Sequence, residues 1–201
     1  MGHVSGTEGY AEEAAELLRR YESIAFVCAH RSILHLLPQA PSSVLDIGAG
    51  TGRDAAALAE RGHRVLAVEP TAEMRGGAMG LHPTPSIEWI DDSLPHLPHV
   101  RERGEVFDFV MLSAVWMHLD QTQRRQGMPS VASLVRPGGL VAMSLRHGPV
   151  PPGRRMFEVP TLETVRLAAG EGLHLVLDLE TPSSRQPGVS WTRLAFVRED
   201  R

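Results

Sequence analysis

The sequence predicts an α/β protein: a three-layer sandwich around a Rossmann-like, mostly parallel seven-stranded sheet with an antiparallel C-terminal hairpin strand. Alternation of apolar β-type runs with helix-forming segments is typical of a parallel sheet covered by helices on both faces. Two apolar runs at the end of the chain, 174–179 and 191–197, flank a loop rich in Pro, Ser and Gly, which predicts a hairpin at the sheet edge. The earlier strands are expected near 44–47, 64–68, 86–90, 107–113 and 139–145.

Length and composition indicate one domain in an ordinary globular protein. The chain has 201 residues, 42% of them hydrophobic, and a net charge of −4, so it can bury a proper core. No lysine-rich tract is present, which argues against sequence-independent nucleic-acid binding. The solitary Cys28 excludes an intrachain disulfide. With no apolar run long enough for a membrane span and no signal-peptide pattern, we expect a cytoplasmic protein.

The segment 44–52 carries the strongest local signal. An apolar run ends at Asp46 and Ile47, and glycines follow at every second position, Gly48, Gly50 and Gly52. Glycine tolerates positive φ and lets a ligand approach the backbone. A segment of helix formers comes next, so free N–H groups at a helix start would face that ligand. The pattern predicts a nucleotide-type ligand, although a turn that serves only chain geometry is the alternative.

A second strand over 64–68 ends in Glu69 and completes a β-α-β unit. A carboxylate at this strand tip can accept hydrogen bonds from both hydroxyls of a ribose. Dinucleotide-binding proteins share this acid, but their third glycine position is Arg53 here. An arginine is too large for the close helix–strand packing of that motif, so a dinucleotide is the weaker interpretation.

These features resemble motif I and the acidic loop of class I S-adenosylmethionine-dependent methyltransferases of the small-molecule type. The resemblance extends over about residues 40–146, in the order of the family. It includes the loop after strand three, the strand-four motif and the turn before strand five, which correspond to 89–95, 107–113 and 134–141.

The resemblance implies S-adenosylmethionine as cofactor, with S-adenosylhomocysteine as product and no metal. Asp46 would orient the methionine end, and Asp92 would contact the adenine amine, although Asp91 and Asp92 are not separable and one of them is expected to cap a helix. Asp108 would tie the backbone beside the glycine loop. The expected cofactor-binding residues are Asp46, Gly48, Ala49, Gly50, Thr51, Gly52, Arg53, Glu69, Pro70, Met74, Asp91, Asp92, Ser93 and Ser113.

Residues after strand four would lie beside the transferred methyl group. Trp116 could form a wall against the cofactor or substrate, since an aromatic face suits a sulfonium cation. His118 is the candidate catalytic base because its unperturbed pKa is near neutrality. A purely structural role for His118, packing and capping the next helix, is the alternative.

The segment 146–155, called the arginine loop below, is the candidate acceptor site. Its three arginines and His147, stiffened by prolines, could clamp a carboxylate or phosphate, or form a solvated loop or a subunit interface. Tyr21 and His30 lie on the helical segment 10–37, which would cover the pocket, although packing alone also explains Tyr21. The expected substrate-binding residues are Tyr21, His30, Trp116, Arg146, His147, Arg154 and Arg155.

We therefore expect a single domain over 1–201 that acts on a small molecule. It would comprise an N-terminal helical lid (1–40), a cofactor-binding core (41–146), and a substrate loop, helix and hairpin (147–201). The expected reaction is methyl transfer to an oxygen or nitrogen atom of a small metabolite, with an anionic one favoured by the arginine loop. An NAD-type oxidoreductase and a non-catalytic cofactor-binding module remain alternatives. The expected partner is a small-molecule acceptor, with no nucleic acid and no membrane, and the protein would be a monomer or homodimer.

Overall fold

A seven-stranded sheet organises the protein, whose structure is a computed structural model describing residues 4–199. The strand order is β3-β2-β1-β4-β5-β7-β6. The pairs formed among the first five strands are all parallel, and β7 pairs antiparallel to both β5 and β6. This confirms the predicted fold class. The strands are β1 (Ser43–Ile47), β2 (Arg64–Val68), β3 (Ile87–Ile90), β4 (Phe107–Ser113), β5 (Val135–His147), β6 (Leu173–Pro182) and β7 (Ser190–Arg198).

Helices cover both faces of the sheet because the central strands are apolar on both sides. Four of the five residues of β1 and of β2 are buried, as expected for strands with helices on each face. One face packs against α5, α6 and α7, and the other packs against α3 and the segment that contains α2. The helices are α1 (Ala14–Glu22), α2 (Phe26–Ala29), α3 (Arg53–Ala59), α4 (Ala72–Leu81), α5 (Pro98–Glu102), α6 (Gln121–Ser133) and α7 (Thr161–Gly170).

The N-terminal segment is less regular than the sequence predicted. Instead of helix over 10–37, it forms α1, the four-residue α2 and a single 3-10 turn over Leu34–Leu36. Residues Ser23–Ala25 interrupt the helices, and Ala25 has extended backbone angles. The segment packs through Phe26, Ile33 and Leu37 onto the sheet. Sheet contacts therefore override the local helix preference.

Strand β5 begins earlier than predicted, at Val135 rather than near 139. Val135 pairs with Phe107 and Leu140 pairs with Phe109, so the Pro-Gly-Gly segment forms an irregularity within the pairing of β4 and β5. Gly138 has φ of 70°, which favours glycine at this position. The turn expected before strand five is thus a bulge inside it.

Asp108 ties backbone as expected, but not beside the glycine loop. Its Oδ2 accepts hydrogen bonds from the backbone N–H and the hydroxyl of Ser43, at 2.7 and 2.8 Å. Ser43 begins β1, whereas the glycine loop follows its last residue. Asp108 therefore anchors the opposite end of that strand.

Within residues 4–199, no helix combines the length and the apolar character needed to cross a bilayer.

Candidate functional site

The glycine loop (Gly48–Gly52) connects β1 to α3 at the carboxyl edge of the sheet, where ligands of such folds bind. Its three glycines have φ of 71°, 57° and 81°. A Cβ built on Gly48 would lie 2.5 Å from Val115 Cγ2, and one on Gly52 would lie 2.9 Å from Trp89. A Cβ on Gly50 would meet only the Gly48 carbonyl oxygen, at 4.0 Å. Gly48 and Gly52 are therefore required by packing, while Gly50 borders open space.

Asp46 presents a buried acid just before this loop. Its side chain is 1% exposed, and its Oδ2 has no hydrogen-bond partner. Burial raises the pKa of this carboxyl well above its ordinary value, and the neighbouring Asp54 and Glu69 raise it further, against Arg53. A buried acid without a donor is unfavourable unless a ligand completes it. Asp46 is thus arranged to receive a cationic or donor group.

Glu69 faces the glycine loop from the end of β2. One carboxylate oxygen accepts from the Gly50 N–H at 3.0 Å, and the other accepts from the Thr71 N–H at 2.8 Å. Burial is the largest influence on the pKa of Glu69 and raises it, while these backbone donors oppose the rise. A carboxylate has about four acceptor positions, so Glu69 can bind further donors.

The two adjacent acids after β3 have different environments. Asp92 is buried, and its oxygens accept from the Ser93 and Val100 N–H groups at 2.8 and 2.9 Å. Asp91 is exposed and forms an ion pair with Arg75 at 3.0 Å. Neither acid is a helix N-cap, because α5 begins at Pro98 with Leu97 in the cap position, but Asp92 satisfies the Val100 N–H in the first turn of α5. Both line an open cleft of about 310 Å³.

The C-terminal end of α1 lies against the glycine loop. The Thr51 hydroxyl donates to Glu22 Oε1 at 2.5 Å, and Arg53 Nη1 donates to the Tyr21 carbonyl oxygen at 3.4 Å. The Tyr21 contact to the loop is thus made by its backbone. Among the other expected cofactor residues, Met74 is fully buried and packs in a cluster with Ala14 and Leu17 of α1. Met74 therefore holds α4 against α1 rather than facing the loop.

His30 joins the N-terminal segment to α3 through a buried network. Its Nε2 lies 2.8 Å from Asp54 Oδ2, while Asp54 Oδ1 accepts from Arg53 Nε at 2.7 Å. Burial opposes ionisation of Asp54, but the hydrogen bonds and charges of His30 and Arg53 outweigh it and lower its pKa. Arg53 therefore connects the N-terminal segment to the start of α3, which explains a bulky side chain at this position.

His118 has a hydrogen-bond partner at each ring nitrogen. Nδ1 lies 2.8 Å from the carbonyl oxygen of Arg155 and can only donate to it, so Nε2 accepts from the Tyr10 hydroxyl at 3.1 Å. Burial lowers the pKa of His118. Burial also disfavours the charged form of Tyr10 and therefore raises its pKa, and nearby Tyr21 raises this pKa further. The result is a neutral imidazole paired with a neutral phenol.

The expected wall residue Trp116 does not face the site. It is 0% exposed and belongs to the core on the α6 side of the sheet. Its six-membered ring lies 3.5 Å from the position of a Cβ on Gly127 of α6. The prediction is wrong because the 3-10 turn Trp116–His118 directs this indole into the core.

The arginine loop does not form the expected clamp. Arg146 donates to the carbonyl oxygens of Gly148 and Pro149 within its own loop. His147 Nδ1 lies 3.1 Å from Glu158, and its Nε2 lies 2.9 Å from the Thr192 hydroxyl. Both side chains are committed to the structure around them.

The other two loop arginines also have internal partners. Arg154 binds Glu13 at 2.7 Å and stacks on Tyr10, with its guanidinium carbon 4.5 Å from the ring centre. Arg155 donates to Asp120 Oδ2 at 3.0 Å and to the carbonyl oxygen of His118 at 2.8 Å. The basic charge that favoured an anion clamp is therefore used to hold the N-terminal segment and the start of α6.

Sequence reasoning missed two residues near the site, Tyr10 and Arg193. Tyr10 is 108 residues from its partner His118, and Arg193 lies on the C-terminal hairpin. Neither belongs to a local motif, so the chain offered no signal that could have found them. The remaining expected residues Ala49, Pro70, Ser93 and Ser113 are partly buried at strand ends around the glycine loop.

Comparison with known proteins agrees with this geometry. A family model described as a methyltransferase domain matches residues 44–139. Mouse glycine N-methyltransferase is 30% identical over 183 residues, which cover 76% of this chain. In sequence and fold the chain resembles the class I S-adenosylmethionine-dependent methyltransferases. The chain spans 62% of the length of the mouse relative.

Other methyltransferases share the sequence or the fold. Trans-aconitate 2-methyltransferase of an Azoarcus species is 28% identical over 187 residues, 85% of this chain and 69% of the relative. The Burkholderia thailandensis 1,6-didemethyltoxoflavin-N1-methyltransferase superposes with a TM-score of 0.71 at 22% identity, over 100% of this chain and 93% of that one. Synechocystis magnesium protoporphyrin IX methyltransferase has a TM-score of 0.68 at 16% identity, over 99% and 86%. These structures confirm the fold.

No three His, Cys, Asp or Glu side chains in the range 4–199 are grouped so that they could hold an ion.

Proposed function

We propose that this chain transfers a methyl group from S-adenosylmethionine to an oxygen or nitrogen atom of a small metabolite. Asp46 is the observation that carries the proposal. Its buried carboxylate lacks a partner at Oδ2, and it precedes a loop in which Gly50 borders open space. The resemblance to methyltransferases supports the same conclusion, and two relatives are named for small acceptors, glycine and trans-aconitate.

The residues around the glycine loop fit this cofactor. Asp46 would accept from the ammonium group of the methionine part, which would supply the missing donor. Glu69 would accept from the ribose hydroxyls through acceptor positions that Gly50 and Thr71 leave free. Asp91, whose carboxylate is exposed, is the more accessible acid for the adenine amine, since Asp92 is buried.

When bound, S-adenosylmethionine supplies a methyl group already activated on a positively charged sulfur. The residues of the chain then have to align the acceptor, exclude water and take up a proton where the acceptor carries one. The N-terminal segment contacts the glycine loop through Glu22 and the start of α3 through Tyr21 and His30. It would cover the site and exclude water.

The Tyr10–His118 pair is the proton acceptor of this proposal. The Tyr10 hydroxyl would take the proton of the acceptor atom while passing its own to His118 Nε2, which already accepts from it. The Arg155 carbonyl oxygen fixes the proton on Nδ1 and leaves the lone pair at Nε2. His118 would thus act through Tyr10 as a positioning residue rather than touch the acceptor.

Calorimetric titration with S-adenosylhomocysteine tests the proposal. Wild-type protein should bind it, and Glu69→Ala should weaken binding roughly tenfold or more, because the ribose loses hydrogen bonds to a charged acceptor. Glu73→Ala is the matched control, since Glu73 is an exposed acid of the nearby α4 and should leave affinity unchanged. Absence of binding up to about 1 mM, or binding of NAD instead, would overturn the proposal.

Release of S-adenosylhomocysteine from S-adenosylmethionine, measured over a panel of small amines, alcohols and acids, tests the catalytic part. Turnover on at least one acceptor is expected. Tight cofactor binding with no turnover on any of them would instead support a non-catalytic binding module.

A further inference from the structure

The guanidinium of Arg193 on β7 is half-buried and lies over the Trp191 ring, with its central carbon 5.3 Å from the ring centre, and it has no acidic partner among the described residues. Its Nε and Nη1 are buried without a hydrogen-bond partner, and its Nη2 reaches only the Ala29 carbonyl oxygen, at 3.5 Å. Burial lowers the pKa of Arg193, and no acid among the described residues acts on it to raise the value. Buried charges are normally paired, because an unpaired one is costly to desolvate. A bound anion would supply the missing counter-charge and accept hydrogen bonds from the free N–H groups.

Arg193 lines a narrow cavity, called the Arg193 cavity below. Its polar lining is Arg193, His30, Ser113 and Ser144. Ser113 pairs with Ser144 across β4 and β5, and Ser144 pairs with Arg193 across β5 and β7. Residues directly opposite on neighbouring strands point to the same face. The sheet register therefore places two hydroxyls and one guanidinium side by side.

The Arg193 cavity lies at the carboxyl edge of the sheet, close to the proposed methyl donor. Ser113 is the last residue of β4, and Met111, two residues earlier, pairs with Asp46 of β1. Ligands of open α/β sheets bind at this edge. The cavity is thus one strand away from the carboxylate that would hold the cofactor.

We propose that Arg193 anchors the acceptor by binding a carboxylate group in this cavity. This rests on the proposed methyl transfer and specifies its substrate class as small carboxylic acids. The guanidinium would donate two N–H groups to the carboxylate, as arginine does in charge-assisted pairs. The Ser144 hydroxyl accepts from the Ala114 N–H at 2.9 Å, so its own proton is available to the same carboxylate.

The size of the cavity indicates how the acceptor enters. Its volume is about 10 Å³, room for roughly one water molecule. One wall is the N-terminal segment, which contributes His30 and Ile33. A carboxylate would therefore enter as this segment moves outward, and it would replace the long contact between Arg193 and Ala29. A tetrahedral phosphate would need more room than this planar group.

Acetate is the probe for the site. Wild-type protein saturated with S-adenosylhomocysteine should bind acetate but not the neutral acetamide, as measured by ligand-observed NMR. Arg193→Gln should weaken acetate binding roughly ten- to hundredfold. The matched control Arg185→Gln removes one positive charge from the exposed loop of the same hairpin and should bind acetate like wild type.

Thermal unfolding separates this role from a structural one. Because Arg193 is incompletely paired, Arg193→Met should keep or raise the melting temperature while losing acetate. A lower melting temperature with unchanged acetate affinity would identify a structural residue and overturn the proposal. Equal acetate binding by Arg193→Gln, or preference of wild type for inorganic phosphate, would overturn it as well.

The proposed methyl transfer can fail separately. If the protein does not bind S-adenosylhomocysteine, the cofactor assignment is wrong, and the acetate titration of wild type and Arg193→Gln without it still decides the anion site. If it binds the cofactor but wild type and Arg193→Gln bind acetate equally, only the carboxylate site is wrong.

Discussion

The glycine loop and the arginine loop were both predicted as ligand sites, but only the glycine loop has a polar group without a partner beside open space. At the glycine loop, Asp46 lacks a partner and Gly50 borders open space. In the arginine loop, Arg154 and Arg155 are paired with Glu13 and Asp120. The difference shows that a glycine motif specifies its own backbone geometry. The role of a charged side chain, in contrast, depends on which distant residues the fold places next to it.

Asp46→Asn should give the largest change and tests the donor side of this comparison. Loss of the charge that would pair with the cofactor ammonium should reduce affinity for S-adenosylmethionine by about 3 kcal/mol, roughly a hundredfold. Calorimetric titration measures this. Unchanged affinity would show that Asp46 does not face the cofactor.

The pH dependence of folding provides the control for Asp46→Asn. The folded-state pKa of Asp46 is raised, so its neutral form favours folding, and that contribution is present at low pH and lost as the pH rises toward the raised value. Asparagine is neutral throughout. The variant without ligand should therefore be at least as stable as wild type at neutral pH, by denaturant unfolding.

Alanine at two glycines separates packing from ligand contact. Gly48→Ala should lower the free energy of unfolding by about 2 kcal/mol, because the left-handed conformation is strained and the new Cβ collides with Val115. Gly50→Ala should cost only the backbone strain, about 1 kcal/mol, yet weaken cofactor binding more than its stability loss accounts for. Equal effects of the two variants on unfolding and on binding would remove the distinction between these glycines.

Arg155→Gln tests whether the arginine loop is structural. The variant loses hydrogen bonds to the carbonyl oxygen of His118 and to Asp120, so we expect a stability loss of about 1–2 kcal/mol. The KM for the acceptor should stay within twofold or so of wild type. A raised acceptor KM without a stability loss would support the role of the arginine loop as an anion clamp.

Tyr10→Phe should lower the free energy of unfolding by about 1 kcal/mol, because it removes one hydrogen bond to His118. If the pair takes up the acceptor proton, kcat should fall while the affinity for S-adenosylhomocysteine is retained, and the pH dependence of kcat should change. A variant with wild-type kcat and pH profile would leave Tyr10 with only a packing role.

The sequence predicted the sheet, the glycine loop and Glu69 because these depend on short-range patterns: apolar runs, glycine spacing and an acid at a strand end. It could not separate Asp91 from Asp92, since the distinction is the Val100 N–H eight residues further on. It placed Trp116 wrongly because an apolar aromatic suits a cofactor wall and a core equally well. The prediction for His118 named the residue but missed Tyr10, which determines what the imidazole can do.

By itself, the sequence determined the class of fold and the resemblance to methyltransferases, because backbone conformation at glycines and burial of alternating apolar segments are encoded locally. Only the tertiary structure decided which charges are free. It paired the arginines of 146–155 with Glu13, Asp120 and loop carbonyls, and it left Asp46 Oδ2 and two nitrogens of Arg193 without hydrogen-bond partners. A buried charge without a partner costs free energy, so we expect ligands at Asp46 and Arg193 rather than at the most basic segment.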